Sequence, residues 1–187
     1  EYGDIPAPQK ESIRESPISP YSFGKLAATH FLQMLHRTEN FPAIMFRLFL
    51  VYGPGQDQKR FIPQIIRGCL EDKIFPVSAG EQLRDFCFVE DIVKGLLEAL
   101  HYPEIIGEVI NLASGFPITI QHMIEKIQSI IGKGQPNFGE VPYRPGENME
   151  LYANIEKAQN LFNWNPNTSL DEGLRKTIEN YKHLMTA

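Results

Sequence analysis

A helical pattern of apolar residues stands near the start of the chain. After Ser19-Pro20, apolar side chains recur every three or four positions, at Phe23, Leu26, Ala27, Phe31, Met34 and Leu35. This spacing predicts a helix from residue 20 to about residue 38. Ser19 is a typical N-cap residue and Pro20 suits the first helical position, so both mark the start. Residues 4 to 20 are rich in Pro and Ser and predict an irregular surface loop.

Two short apolar runs predict buried strands, at residues 43–51 (AIMFRLFLV) and 108–113 (EVINLA). Their length, their β-branched residues and the Tyr-Gly-Pro-Gly turn after the first run favour strands over helices. A short strand is predicted at residues 74–77. Helices are predicted over residues 60–72, 89–101 and 119–131, for about two turns after Asn154, and from Ser169 to about residue 184.

Strands that alternate with helices are typical of an α/β fold with parallel strand pairing. Two buried strands are fewer than a doubly wound parallel sheet needs, so the pattern predicts the back half of such a sheet plus a smaller lobe. The strand at residues 43–51 would then present an unpaired apolar edge. Such edges favour aggregation, so we predict that the isolated chain associates with itself.

Composition and charge narrow the function classes. The net charge of −5 argues against a nucleic-acid or anionic-membrane surface. The two cysteines, Cys69 and Cys87, have no metal-type spacing and fit a reducing, cytoplasmic setting. No apolar run reaches 18 residues, so no membrane span is predicted. The chain opens at Glu1 without an initiator Met, which suggests a fragment or a processed product.

Tyr21 and Lys25 carry the clearest candidate chemistry. Residues four apart on a helix lie on one face, about one turn from each other. A lysine ammonium beside a phenol favours the phenolate form, which suits a tyrosine for general acid–base work on a sugar hydroxyl. By itself the Tyr-x-x-x-Lys spacing also occurs by chance in many helices.

The motifs around this pair resemble the extended short-chain dehydrogenase/reductase family, which comprises NAD-dependent nucleotide-sugar epimerases and dehydratases. The resemblance runs over essentially the whole chain and rests on seven weak motifs in the family's order. They are YGD with a Glu-Pro loop at residues 2–4, PYSFGK at 20–25, RLFLVYGPG at 47–55, RDFCFVED at 84–91, NLASG at 111–115, RPGE at 144–147, and WNP at 164–166 with LDEG at 170–173.

The resemblance implies a role for each matching residue near the cofactor. Tyr21 would be the catalytic acid/base, and Lys25 would hydrogen-bond the nicotinamide ribose and support Tyr21. Phe49, after the Arg47 strand, would contact the cofactor, which would be NAD or NADP. The fold implied is the C-terminal part of a Rossmann-type (doubly wound parallel sheet) domain, at about residues 1–55 and 85–115. A small α/β substrate-binding lobe would take about residues 56–84 and 116–187.

The substrate implied is a nucleotide-diphosphate sugar. Arg84 and Arg144 would clamp its diphosphate, since the planar guanidinium meets phosphate oxygens in pairs. Leu50 stands at a substrate-binding position where the family often has Asn, and leucine cannot make the hydrogen bond to the diphosphate. The resemblance also implies a homodimer through the Tyr21 helix, although burial on the chain's own sheet explains its apolar stripe equally well.

Two parts of the family's pattern are missing from these residues. No glycine-rich dinucleotide-binding turn occurs, and the family's catalytic Ser or Thr would fall just before residue 1. We therefore expect the chain alone to be inactive. Epimerase, dehydratase and 4-reductase activities are not separated by the sequence. Two other readings stay open, a non-catalytic nucleotide-sugar-binding or interaction module and a reductase of small carbonyl compounds.

The remaining polar residues have simpler interpretations. The five histidines share no ligand spacing, so we expect no metal site: they are His30, His36, His101, His122 and His183. Arg47 lies in an apolar strand, where a buried salt bridge is as plausible as a ligand contact. Asp85 and Asp91 are interpreted mainly as structural, and Trp164 as a core anchor.

Overall fold

The computed structural model describes residues 1–186 and begins its regular structure with helix α1, Pro20–Glu39. The Ser19 side chain accepts a hydrogen bond from the Ser22 backbone N–H at 3.1 Å, and the Ser22 hydroxyl oxygen accepts one from the Ser19 N–H at 3.0 Å. This reciprocal capping box confirms the predicted start of the helix. Asn40 ends it in the left-handed conformation, with φ 54°.

Thirteen further elements and one short 3₁₀ turn follow within residues 1–186. The strands are β1 Met45–Leu48, β2 Leu50–Tyr52, β3 Ile74–Pro76, β4 Leu83–Phe88, β5 Val109–Leu112, β6 Pro117–Thr119, β7 Gln135–Asn137 and β8 Glu150–Leu151. The helices are α2 Phe61–Leu70, α3 Val89–Ala99, α4 Ile120–Ile131, α5 Glu156–Phe162 and α6 Leu170–Thr186, with the 3₁₀ turn at Pro103–Ile105. All five predicted helices after α1 are present, and the strand pairings are mostly parallel, so the α/β prediction is confirmed.

The predicted single strand at residues 43–51 is two strands, so that prediction was wrong in detail. β1 pairs in parallel with β5, whereas β2 pairs in parallel with β4. The chain changes partner at Phe49, between the two strands. An apolar run shows that a segment is buried, but it carries no information on which neighbour each half will meet.

β4 was not predicted as a strand, and the expectation of only two buried strands was wrong. Its first residues include Arg84 and Asp85, which are buried together with the rest of the strand. Asp85 is fully buried because its carboxylate accepts hydrogen bonds from the Ser114 N–H and hydroxyl, both at 2.6 Å, and from the Gly115 N–H at 3.0 Å. Buried charges of this kind need such partners, and the partners lie far along the sequence.

β4 is the centre of its sheet. It pairs in parallel with β2 and β8 and antiparallel with β6. β1 pairs with β5 alone within residues 1–186, so the predicted open edge at this strand is confirmed.

Three hydrophobic clusters form the interior of the described residues; the smallest is Ala43, Met45 and Val109 with Leu32, and the other two are large. The lobe core lies around β4 and between α2, α4 and α6, and includes Ile62, Ile66, Phe88, Met123, Ile124, Ile127, Leu174 and Ile178. The sheet core joins β5 to α3 and α5, and includes Cys87, Ile92, Ala99, Ile110, Leu112, Phe162 and Trp164. Trp164 donates its indole N–H to the Asp91 carbonyl oxygen at 3.2 Å, as a core anchor should.

Candidate functional site

The first turns of α1 present Tyr21 and Lys25 to solvent. The Lys25 ammonium lies 5.6 Å from the centroid of the Tyr21 ring, so the two side chains share one face of the helix as predicted. The Tyr21 side chain is 75% exposed. Neither its hydroxyl nor the Lys25 ammonium has a hydrogen-bond partner within the described part of the chain, so both are available to a ligand.

The structure brings four predicted site residues into one pocket. This tyrosine pocket has a volume of about 580 Å³ and is lined by Tyr21, Lys25, Phe49 and Leu50, together with residues 1–3, Ile18, residues 46–48, Asn148 and Leu151. Phe49 and Leu50 reach it because they stand where the chain passes from β1 to β2. The break between these strands therefore supplies the wall that faces Tyr21.

A second cavity adjoins the first and shares Phe49 and Leu50 with it. This loop pocket, of about 650 Å³, is lined by residues 49–57, Arg60, Phe61, Ile62, Phe86 and Val89. The loop after β2 is fixed in place by side chains, since Gln56 donates to the Val51 carbonyl oxygen at 2.9 Å and the Tyr181 hydroxyl of α6 donates to the Gln56 carbonyl oxygen.

Arg47 forms a buried salt bridge. The sequence left this interpretation open beside a ligand contact. Its Nε donates to Glu1 Oε2 at 2.5 Å, and its Nη2 donates to Glu15. The guanidinium also lies 4.6 Å from the centroid of the Tyr2 ring. Burial opposes the charged form of Arg47, but the contacts with Tyr2 and the carboxylates outweigh it and raise the arginine pKa. Arg47 thus supports the wall of the tyrosine pocket as a fixed cation.

Arg84 and Arg144 differ in their surroundings. Arg84 is 9% exposed, and its Nη2 donates to Glu147 Oε1 at 2.5 Å while its Nη1 donates to the Leu83 carbonyl oxygen at 2.9 Å. Burial lowers the pKa of Arg84, and the Glu147 carboxylate opposes that shift without cancelling it. Arg144 is exposed, and its guanidinium has no ion pair within residues 1–186.

Neither of these two arginines lines the tyrosine pocket, although residues near each of them do. Arg84 stands opposite Leu151 in the β4–β8 pairing, and Leu151 lines that pocket. Asn148, next to Glu147, also lines it and donates to the Gly3 carbonyl oxygen at 3.0 Å. Asn148 and Glu147 were not identified as site residues from the sequence. The only signal for them was that Glu147 is the last residue of the RPGE motif and that Asn148 follows it.

Two further findings concern the described residues. No group of three or more His, Cys, Asp or Glu side chains within residues 1–186 could hold a metal ion. In the same part of the chain, every helix is too short or too polar to span a lipid bilayer.

Known proteins resemble this chain in sequence and in structure. A family model described as GDP-mannose 4,6 dehydratase matches residues 1–177. The UDP-glucuronate 4-epimerase of Thermodesulfobacterium geofontis is 31% identical over 95% of this chain and 55% of its own length. A dTDP-glucose 4,6-dehydratase of Escherichia coli is 28% identical over 96% of this chain and 55% of its own.

A solved structure shows the same fold. The UDP-glucuronic acid 4-epimerase of Bacillus cereus, in complex with UDP-glucuronic acid and NAD, matches with a TM-score of 0.88 and 34% identity. The match covers 98% of this chain and 59% of that one. The chain therefore spans little more than half the length of the proteins it matches. With a family model matching residues 1–177, the chain belongs to the nucleotide-sugar epimerases and dehydratases of the extended short-chain dehydrogenase/reductase family.

Proposed function

We propose that the protein containing this chain is an NAD(P)-dependent nucleotide-sugar epimerase or 4,6-dehydratase in which Tyr21 transfers the proton. The observation that carries the proposal is the shared pocket of Tyr21, Lys25, Phe49 and Leu50 in a chain of this family. Both reaction types occur among the relatives, and they share the step in which a sugar carbon bearing a hydroxyl is oxidised.

Tyr21 is suited to proton transfer by its position. Its hydroxyl is exposed in the pocket and can both donate and accept a hydrogen bond. The Lys25 ammonium on the same helix face stabilises negative charge on the phenol oxygen when the proton has left. Tyr21 would take the proton of the sugar hydroxyl on oxidation and return a proton on reduction.

NAD or NADP fits one end of the described site. Lys25 has free N–H donors for the hydroxyls of the nicotinamide ribose, and Phe49 offers an aromatic face in the same pocket. The cofactor, when bound, accepts a hydride from the sugar and gives it back. Glycine-rich sequence of the kind that holds a dinucleotide pyrophosphate does not occur in the chain, so these residues would hold only the nicotinamide end.

Arg84 and Arg144 would hold the diphosphate of a nucleotide sugar. Arg84 pairs with Leu151, which lines the tyrosine pocket, and Arg144 has no competing ion-pair partner among the described residues. Leu50 would contact the substrate through its apolar side chain alone, since it has no side-chain donor. Diphosphate recognition separates this proposal from a reductase of small carbonyl compounds, which has no use for two arginines.

The domain division and the assembly are also proposals. We divide the chain into a cofactor-binding part at about residues 1–55 and 85–115 and a substrate lobe at about 56–84 and 116–187. The two cores cross this division, since Phe88 packs in the lobe core and Phe162 and Trp164 pack in the sheet core. Residue 187 lies outside the described residues. The exposed apolar stripe of α1, with Phe23, Phe31 and Met34, supports a homodimer through this helix. Two buried free cysteines support a cytoplasmic location.

The decisive experiment replaces Tyr21 in the whole gene product. Tyr21→Phe removes the proton-transferring oxygen, so we expect turnover of the active UDP- or dTDP-sugar to fall by about 10²–10⁴-fold. Binding of NAD(P), measured by fluorescence titration, should be nearly unchanged. Tyr102→Phe is the matched control, because Tyr102 packs on the sheet core away from the pocket, and its activity should stay within about twofold of wild type.

Two outcomes would contradict the proposal. Wild-type turnover in Tyr21→Phe would show that another group transfers the proton. A wild-type protein that binds UDP or dTDP but converts none of the sugars offered would be the non-catalytic binding module.

A further inference from the structure

The Arg84–Glu147 ion pair places a carboxylate on the guanidinium that the proposed function assigns to the substrate diphosphate. The two residues are 63 positions apart, and their N–O distance is 2.5 Å. Their side chains are 11% and 23% exposed, so the pair is shielded from most of the screening that weakens surface salt bridges. Arg84 is thus already neutralised in the free protein.

We propose that Glu147 is an internal competitor for the diphosphate, and that it has to leave Arg84 when a diphosphate binds. This inference rests on the proposed function, because it takes Arg84 and Arg144 as the diphosphate ligands. The inference goes beyond the proposed function because it identifies Glu147 as a residue that weakens the binding of anions at this site.

The position of Arg84 leads to this conclusion. Residues two apart on a strand point to the same face, so Arg84 shares a face of β4 with Phe86, which lines the loop pocket. A phosphate that approaches from the loop pocket can reach only a small part of the Arg84 guanidinium. It also meets the negative charge of Glu147 within contact distance of the same nitrogen, which opposes binding.

The turn that carries Glu147 is held by few contacts. The Glu147 N–H donates to the Arg144 carbonyl oxygen at 3.0 Å, and Gly146 between them has a positive φ of 72° with open space around it. The remaining side-chain hydrogen bonds lie on the flanks of the turn: Asn148 donates to the Gly3 carbonyl oxygen and accepts from the Glu150 N–H, and the Tyr143 hydroxyl donates to Glu81. If Glu147 moves off Arg84, this short turn can change conformation without disturbing either hydrophobic core, and Arg144 moves with it.

The test measures binding of inorganic pyrophosphate by calorimetry at fixed ionic strength, because pyrophosphate has no sugar or base that could contact Glu147 directly. Glu147→Gln keeps the shape of the side chain and removes its charge. A hydrogen bond to a charged group contributes about 1.5–3 kcal/mol, so we expect pyrophosphate to bind at least about tenfold more tightly. Glu150→Gln, three residues on and exposed, makes the same change in net charge and should alter affinity by less than about twofold.

Hydrogen exchange of the unaltered protein gives a second measurement that does not depend on folding of the variant. Pyrophosphate should speed exchange of the Glu147 amide, since displacement of the carboxylate loosens the 144–147 turn. Slower or unchanged exchange of this amide with pyrophosphate bound would overturn the proposal.

The outcomes separate the inference from the proposed function. If Arg144→Ala weakens pyrophosphate binding but Glu147→Gln leaves it unchanged or weaker, the diphosphate site stands and the competitor is ruled out. If Glu147→Gln and Glu150→Gln increase pyrophosphate affinity equally, the increase comes from net charge, and a specific competitor role of Glu147 is ruled out. If neither wild type nor Glu147→Gln binds pyrophosphate, the diphosphate site itself fails, and the competitor with it.

Discussion

The surroundings of β4 and those of β1 differ sharply within one small chain. In the closed region, made of β2, β4 and β6 with α2, α4 and α6, the central strand has neighbours on both sides and helices cover a continuous core. In the open region, made of β1 and β5 with α1, β1 has one neighbour among the described residues. Helix α1 buries Leu26 and Thr29, whereas Phe23 and Phe31 are 62% and 56% exposed.

This difference shows what helical spacing of apolar residues can and cannot predict. α1 and α4 both carry an apolar stripe, and both form helices. On α4 the stripe of Met123, Ile124 and Ile127 is completely buried in the lobe core. On α1 the stripe residues Phe23, Phe31 and Met34 are exposed. The periodicity predicts a helix, but not whether its apolar face will be covered by the same chain.

The largest stability difference should appear between Ile124→Ala and Phe31→Ala. Ile124 is fully buried, so truncation leaves a cavity and should lower the free energy of unfolding by about 2–5 kcal/mol. Phe31 is mostly exposed, and its truncation should change that free energy by no more than about 0.5 kcal/mol. Urea unfolding followed by circular dichroism would measure both. Equal losses would mean that α1 is packed as tightly as α4, and would remove the contrast between the regions.

A smaller effect should be seen in self-association. The open region has an unpaired strand edge beside exposed apolar side chains, a combination that favours pairing between chains. At roughly 50 micromolar we expect the chain to sediment faster than a monomer in sedimentation velocity. Phe31→Lys on α1 and Leu48→Lys on β1 should each shift it toward the monomer, because a buried lysine in the contact is costly.

A matched control comes from helix α3, which offers no strand edge and is separate from β1, β5 and α1. Leu97 on this helix is 58% exposed, nearly the same as Phe31. Leu97→Lys should leave the sedimentation pattern of the wild type unchanged. A wild type that runs as a clean monomer would contradict the prediction, and an equal effect of all three lysines would show that general surface charge controls association.

The sequence predicted local structure better than it predicted strand partners. Ser19 was identified as a helix cap because capping depends on a neighbour three residues away. Tyr21 and Lys25 were correctly placed on one helix face because their spacing is local. β4 was missed because Arg84 and Asp85 are charged, and the residues that satisfy them, Glu147 and Ser114, lie 63 and 29 positions away. No local pattern reveals partners at such distances.

The smallest expected effect is a pH dependence of the free energy of unfolding that comes from Glu15 in the open region. Burial acts to raise the pKa of this carboxyl, but the hydrogen bond from Arg47 and the positive charges of Arg47 and His30 outweigh it, so the pKa lies below the ordinary 4.5. A carboxyl with a lowered pKa in the folded state stabilises that state above its unfolded pKa, and the contribution is lost as the pH falls through the folded pKa.

Glu15→Gln should therefore be less stable than wild type at pH 7, with a difference that shrinks as the pH is lowered below about 4.5. Urea unfolding at a series of pH values would measure the difference, and Glu140→Gln, which removes the same charge from an exposed side chain, is the matched control. If the Glu15→Gln difference persists unchanged at low pH, the Glu15–Arg47 contact acts through shape and not through charge. If the difference vanishes on acidification, the Glu15–Arg47 ion pair stabilises the open region through its charge. The open region, where much of α1 is exposed, then depends on this ion pair for part of its stability.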